Sequence, residues 1–135
     1  MDQNKKGIFE EFLAKAERRM EEKKTMRTCL VHIPSIDENI RIRGLRNAEI
    51  AEISDTDNSE DPYAGDKYSV YIATVEPDLK EIAKAMKNAG KIQEHVEVTE
   101  IFEICEIRQL AEKIMELSGV TGKNKIEVVA ENLKN

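Results

Sequence analysis

Tryptophan is absent from this 135-residue chain, and the other aromatics are limited to three Phe and three Tyr. A platform that stacks single-stranded nucleic acid needs aromatic faces set among basic side chains, and the stretch that holds Arg27, Arg41, Arg43 and Arg46 has none. The core must instead be aliphatic, built from Ile, Leu, Val, Ala and Met. An excess of positive charge is also missing. With 21 Lys and Arg against 27 Asp and Glu, the formal charge is -6, which argues against broad contact with a phosphate backbone and in favour of a protein partner. Cysteine is confined to Cys29 and Cys105, far apart in the chain. The opening MDQNKKGIFEEF has no signal-peptide apolar core, and no apolar run is long enough to span a bilayer. These absences together predict a cytosolic protein with reduced thiols and no membrane association.

What is present is 40% apolar and 36% charged residues, enough for one modest core with well-solvated helix faces. Ile8, Phe9, Phe12, Leu13, Ala16 and Met20 recur at helical spacing, so residues 1–25 are expected to form an amphipathic helix. Its charged end, EEKK, marks it as an arm rather than a nucleus of the core. MRTCLVHIP, the turn residues SIDEN and the alternating IRIRG then predict a β-hairpin, with Ile40 and Ile42 on one face and Arg41 and Arg43 on the other. Asn47 is a candidate cap for a short helix over AEIAEIS. Tyr68, Tyr71, Ile72 and Val75 keep the spacing i, i+3, i+4, i+7 and predict a further helix, halted by Glu76-Pro77-Asp78 and restarted along Leu79, Ile82, Ala83 and Met86 as far as Gly90. Thr99 is placed as the cap of the longest run, which stops at Gly119, and Ile126, Val129, Ala130 and Leu133 suggest a last short helix. The fold class expected is α+β, mainly α-helical, with a small N-terminal β-hairpin packed against several short helices. Residues 26–135 form its main domain.

Chemistry finds few footholds. Asp55, Asp57, Ser59 and Asp66 imitate the spacing of a calcium loop, but Glu60 replaces the turn glycine and Asp66 is too short for the bidentate twelfth ligand. Cys29, His32, His95 and Cys105 are metal-ligating types, yet residues three apart in a strand point to opposite faces, so Cys29 and His32 should not converge. GVTGKNK sets its glycines too close for a phosphate loop and offers Asn124 where a hydroxyl should reach magnesium. No serine lies near a histidine in a nucleophile elbow. Arg27, Arg41, Arg43 and Arg46 could gather on the hairpin, and the default for such a set is a solvated sheet face. The expectation is a non-enzymatic protein without cofactor or metal.

The order of the pieces carries more than any one of them. IRIRGLRNAEIAEI after the hairpin, VEPDLKEI at the break and EIRQLAEKIMELSG near the end resemble the phage tail assembly chaperones of the XkdN-like family, over residues 28–135. Arg43-Gly44-Leu45, Glu49, Pro77-Asp78-Leu79, Glu106-Ile107 and Leu117-Ser118-Gly119 carry the match. Arg46 departs from it, since the family often has Thr or Ser there. The resemblance implies an assembly factor in the host bacterial cytoplasm that holds the tape measure protein while tail tube protein polymerises, and that is absent from the mature virion. It also implies a frameshift-extended form of the same chain, and Asn132-Leu133-Lys134 is compatible with a slippery codon run. The residues expected to bind a partner are Ile101, Phe102, Leu110, Ile114 and Leu117, with Phe9 and Phe12 as a second contact. Because apolar stripes are more often core than interface, about two in three of these residues should be buried. The competing expectation is a regulatory or adaptor domain that uses the arginine-bearing hairpin to bind an acidic protein or RNA.

Overall fold

A computed structural model describes residues 2–56 and 60–130. Asp57 and Ser59 of the calcium-like loop, and Asn132, Leu133 and Lys134 near the end of the chain, lie outside the described residues. The fold is α+β and mainly helical, as its residue patterns predict. Helix α1 spans Asp2–Lys24. Strands β1 (Thr28–Ile33) and β2 (Glu38–Arg43) form the hairpin, whose turn closes with Asp37 at a positive φ of 51°. Asp tolerates that backbone better than most residues.

The pleat of β2 behaves as the alternation requires. Ile40 and Ile42 are buried, while Arg41 and Arg43 lie on the opposite side. Helices α3 (Ala64–Ala73) and α5 (Ile104–Leu117) pack together over the buried face, with Val70, Ile107, Leu110 and Ile114 between them and the sheet. Helix α4 (Leu79–Asn88) and a 3₁₀ segment, His95–Ile101, close the far side of α3 through Leu79, Ala83 and Val98.

Four expectations need correction. The helix through Tyr68 and Tyr71 ends at Ala73, and Val75 belongs to a third strand, β3 (Thr74–Glu76), which extends the sheet in the order β1-β2-β3. Proline disfavours the helical conformation in the residue before it, and β2 offers a free edge: Arg41 faces Glu76 and Ile42 faces Thr74. The break is therefore helix, strand, corner, helix. The Glu76–Pro77 bond is cis, and the Asp78 carboxylate accepts the Lys80 N–H at 3.0 Å as the cap of α4.

Helix α2 (Asn47–Asp55) is capped by Arg46 rather than Asn47. Arginine has no acceptor, so the bond that matters runs the other way: the Glu49 carboxylate accepts the Arg46 N–H at 2.9 Å. Thr99 does not cap the long helix either, because residues 95–101 form the 3₁₀ segment and Thr99 is buried in it, donating to the Val96 carbonyl. The cap of α5 is Glu103, whose N–H donates to Glu106 at 2.9 Å. Lastly, residues 124–130 form no helix. With Ile126, Val128 and Val129 all exposed, no apolar face is buried to offset the entropy of ordering one.

Candidate functional site

One face of α1 is apolar and uncovered among the described residues. At 100° per residue, Ile8, Phe9, Phe12, Leu13, Ala16 and Met20 fall within an arc of about 140° and run for about 18 Å along the axis. In a packed helix such a face would be buried. Here Phe9 is 66% and Phe12 73% exposed, and Ile8, Leu13 and Met20 are exposed with them. The helix meets the body at its C-terminal end, where Arg19, Glu22 and Lys23 and the segment from Gly44 to Asn47 share a hollow of about 330 Å³. Isolated large apolar side chains on a surface are ordinary; five on one helical face form a patch of the kind that marks an interaction site.

The residues proposed for partner contact divide in two. Phe102, Leu110 and Ile114 are buried in the core, where they join α5 to the sheet and to α3. Leu117 is half-buried and packs on the same cluster, while Ile101 remains 39% exposed at the end of the 3₁₀ segment. Phe9 and Phe12 are the most exposed members. The structure does not bring the two sets together on one surface.

A second feature lay beyond the reach of sequence pattern. A groove of about 580 Å³ opens between the end of β1, the hairpin turn and the first turns of α5, with Val31, Ile33 and Leu110 apolar and Gln109 and Lys113 polar along it. Glu106 sits at one end, buried, and its carboxylate accepts the Ser35 N–H at 3.1 Å, the Ser35 hydroxyl at 2.5 Å and the Glu103 N–H at 2.9 Å. Burial pushes this carboxyl up, but the three hydrogen bonds outweigh it and hold the group below its ordinary range. Ser35 and Glu106 are 71 residues apart, so no local signal announces the pairing. Cys105 and His32 also line the groove. The imidazole faces Asn39 at 2.8 Å and Asp37 at 3.4 Å, while the thiol lies 3.7 Å from the Glu103 carboxylate, so the two do not form a nucleophile–base pair.

The arginines of the hairpin are partly committed. Arg43 donates to both oxygens of Glu49 at 2.8 Å and to the carbonyls of Gly44 and Ile72, tying β2 to α2 and α3. The Arg43 guanidinium is the main reason the Glu49 carboxyl is lowered to about 2. Arg41 donates to Glu76 at 3.3 Å across to β3. Arg27 and Arg46 remain exposed. Tyr68 donates to Glu52 at 2.6 Å, a bond that pushes its phenol up to about 12 and joins α3 to α2. Among the described residues no group of three or more His, Cys, Asp or Glu could hold a metal ion, and no helix is long and apolar enough to cross a membrane.

No family model, curated protein or solved structure matches the chain.

Proposed function

We propose that the chain is a non-enzymatic phage tail assembly chaperone, working in the host bacterial cytoplasm, that holds the tape measure protein and helps recruit tail tube subunits, in part through a frameshift-extended form of itself. The observation that carries the proposal is the uncovered apolar face of α1, with Phe9 and Phe12 at its centre. It stands outside residues 28–135, where the resemblance lies, and so supports the reading independently. A tape measure is a long helical chain whose apolar stripes would aggregate if left bare. A helix that presents its own apolar face can cover such a stripe without any chemistry.

Regulatory or adaptor binding through the hairpin arginines is the weaker alternative. Two of the four, Arg41 and Arg43, are bonded to Glu76 and Glu49, and an acidic ligand would have to displace those carboxylates.

Affinity capture of the tagged protein from cells producing the phage, with mass spectrometry of what co-elutes, tests the proposal. A long helix-rich chain that stays bound in high salt is the expected product. Recovery of RNA or of an acidic regulator released by salt would point to the arginine face instead.

A further inference from the structure

Strand β1 is the outer strand of the sheet, and its outward side is unpaired among the described residues. The phase of its ladder follows from one bond. Gly44 N–H donates to the Arg27 carbonyl at 2.9 Å, which continues the β1–β2 register by one more pair. Hydrogen-bonded pairs alternate in an antiparallel ladder, so Cys29, Val31 and Ile33 bond to β2. The N–H and C=O groups of Thr28, Leu30 and His32 therefore point away from the sheet. The Leu30 side chain is exposed as well, and TCLVHI contains no Lys or Pro to blunt the edge.

An added strand would have a place to put its side chains. The 580 Å³ groove runs between this edge and α5, with Val31, Ile33 and Leu110 as its apolar part. An edge strand flanked by a helix is the arrangement that accepts an extended segment, with main-chain bonds to the edge and alternate side chains in the groove.

The same chain carries a strand without a sheet. Residues 126–130, IEVVA, are rich in β-branched residues and form no regular structure, with Ile126 98% and Val128 95% exposed. Five extended residues span about 17 Å and the six of β1 about 20 Å, so the lengths agree. In that segment Ile126, Val128 and Ala130 share one face, suited to the groove, and Val129 lies on the other, beside the position of Leu30. The tail leaves α5 at Gly119, where an added Cβ would lie 3.6 Å from Arg27 Nη2, next to the start of β1. Two copies with their β1 edges facing each other thus place each tail within reach of the other's edge.

Within one chain the tail and the edge do not meet. We infer that residues 126–130 of a second copy add to β1, with their alternate side chains in the groove against α5, and that the exchange is reciprocal in a two-fold dimer.

The test combines sedimentation equilibrium over a range of concentrations with amide hydrogen exchange on the full chain, for the natural protein, Val129→Pro and Leu30→Lys. In an antiparallel addition Val129, on the same face as Leu30, exchanges main-chain bonds with it, so proline there removes a donor from the ladder; Val129 lies clear of the packed body, and the variant should melt as the natural protein does at concentrations where that is monomeric. The natural protein should double in mass as concentration rises, while the Leu30 amide slows by about tenfold or more. Both variants should stay monomeric with fast exchange of the residue 30 amide. A natural protein that is monomeric throughout, with fast Leu30 exchange, would overturn the inference. So would Leu30 protection that is independent of concentration, which would place the tail on its own chain. A dimer that persists in Val129→Pro would likewise overturn it, because the copies would then meet elsewhere, with the α1 face the next candidate.

Discussion

A Cβ placed on Gly44 would stand 2.7 Å from the carbonyl oxygen of Leu117 and 2.9 Å from its carbonyl carbon. The end of β2 and the last turn of α5 thus meet backbone to backbone, and the Ser118 hydroxyl fastens the joint by accepting the Leu45 N–H at 2.7 Å and donating to the Ile114 carbonyl. Two short stretches, Arg43-Gly44-Leu45 and Leu117-Ser118-Gly119, are the two sides of this contact. Gly44→Ala forces a main-chain shift that no flexible side chain can absorb. It should cost about 1 to 3 kcal/mol, read as a lower urea midpoint at unchanged slope.

The bond between Arg43 and Glu49 makes stability depend on acid. The Glu49 carboxyl falls from its ordinary 4.5 to about 2 on folding, and both side chains are largely shielded from solvent. A depressed carboxyl contributes stability that is fully present above its unfolded value and is lost as pH falls through the folded one. The window is therefore about pH 4.5 down to 2, and the contribution is on the order of 2 to 3 kcal/mol. Urea unfolding of the natural protein and Glu49→Gln at several pH values should show a gap at pH 7 that shrinks across that window. A gap independent of pH would contradict the assignment.

Asp78 starts α4 at the corner after Pro77. Replacing it with Ala removes the acceptor for the Lys80 N–H and should lower stability by about 1 kcal/mol, whereas Asp78→Asn should retain most of it. Thermal melting of the two variants side by side separates the capping role from any loss of charge.

Core and surface apolar residues should respond in opposite ways. Ile114 is fully buried between α5 and the sheet, so Ile114→Ala should cost about 2 to 5 kcal/mol. Phe9→Ser and Phe12→Ser lie on an uncovered face and should each change the stability of the body by no more than about 0.5 kcal/mol. Chemical denaturation of the three variants checks this, and a large cost at either Phe would mean that α1 packs against the domain in solution.

Much of the fold was legible because its signals are local. The alternation in IRIRG sets the faces of β2, Asp78 after Pro77 marks a helix start, and Gly119 with φ 79° takes the position that ends α5. The misplaced elements depend on partners far away in the chain. Val75 keeps the helical spacing of Tyr68 and Tyr71, and only the edge of β2, more than 30 residues earlier, draws residues 74–76 into the sheet. Thr99 has the chemistry of a cap, yet Val98 and Phe102 on either side of it are buried and hold the chain in a 3₁₀ turn. Residues 124–130 have apolar spacing but nothing among the described residues to pack against. The candidate site was legible in the same measure. Apolar stripes on α1 and α5 look alike in the sequence, and which one is covered depends on tertiary packing: α5 is enclosed by the sheet and α3, while α1 is left open.

The central claim is that the face of α1 holds an apolar helical partner. Co-expression of the tape measure protein proposed as its partner with the natural chain, and with a variant carrying both Phe9→Ser and Phe12→Ser, tests it most directly through the fraction of tape measure that stays soluble and co-purifies. The expected result is a soluble complex with the natural chain and precipitated tape measure with the doubly substituted one, although both chains melt alike. Equal solubility with the two chains, or none with either, would contradict the claim.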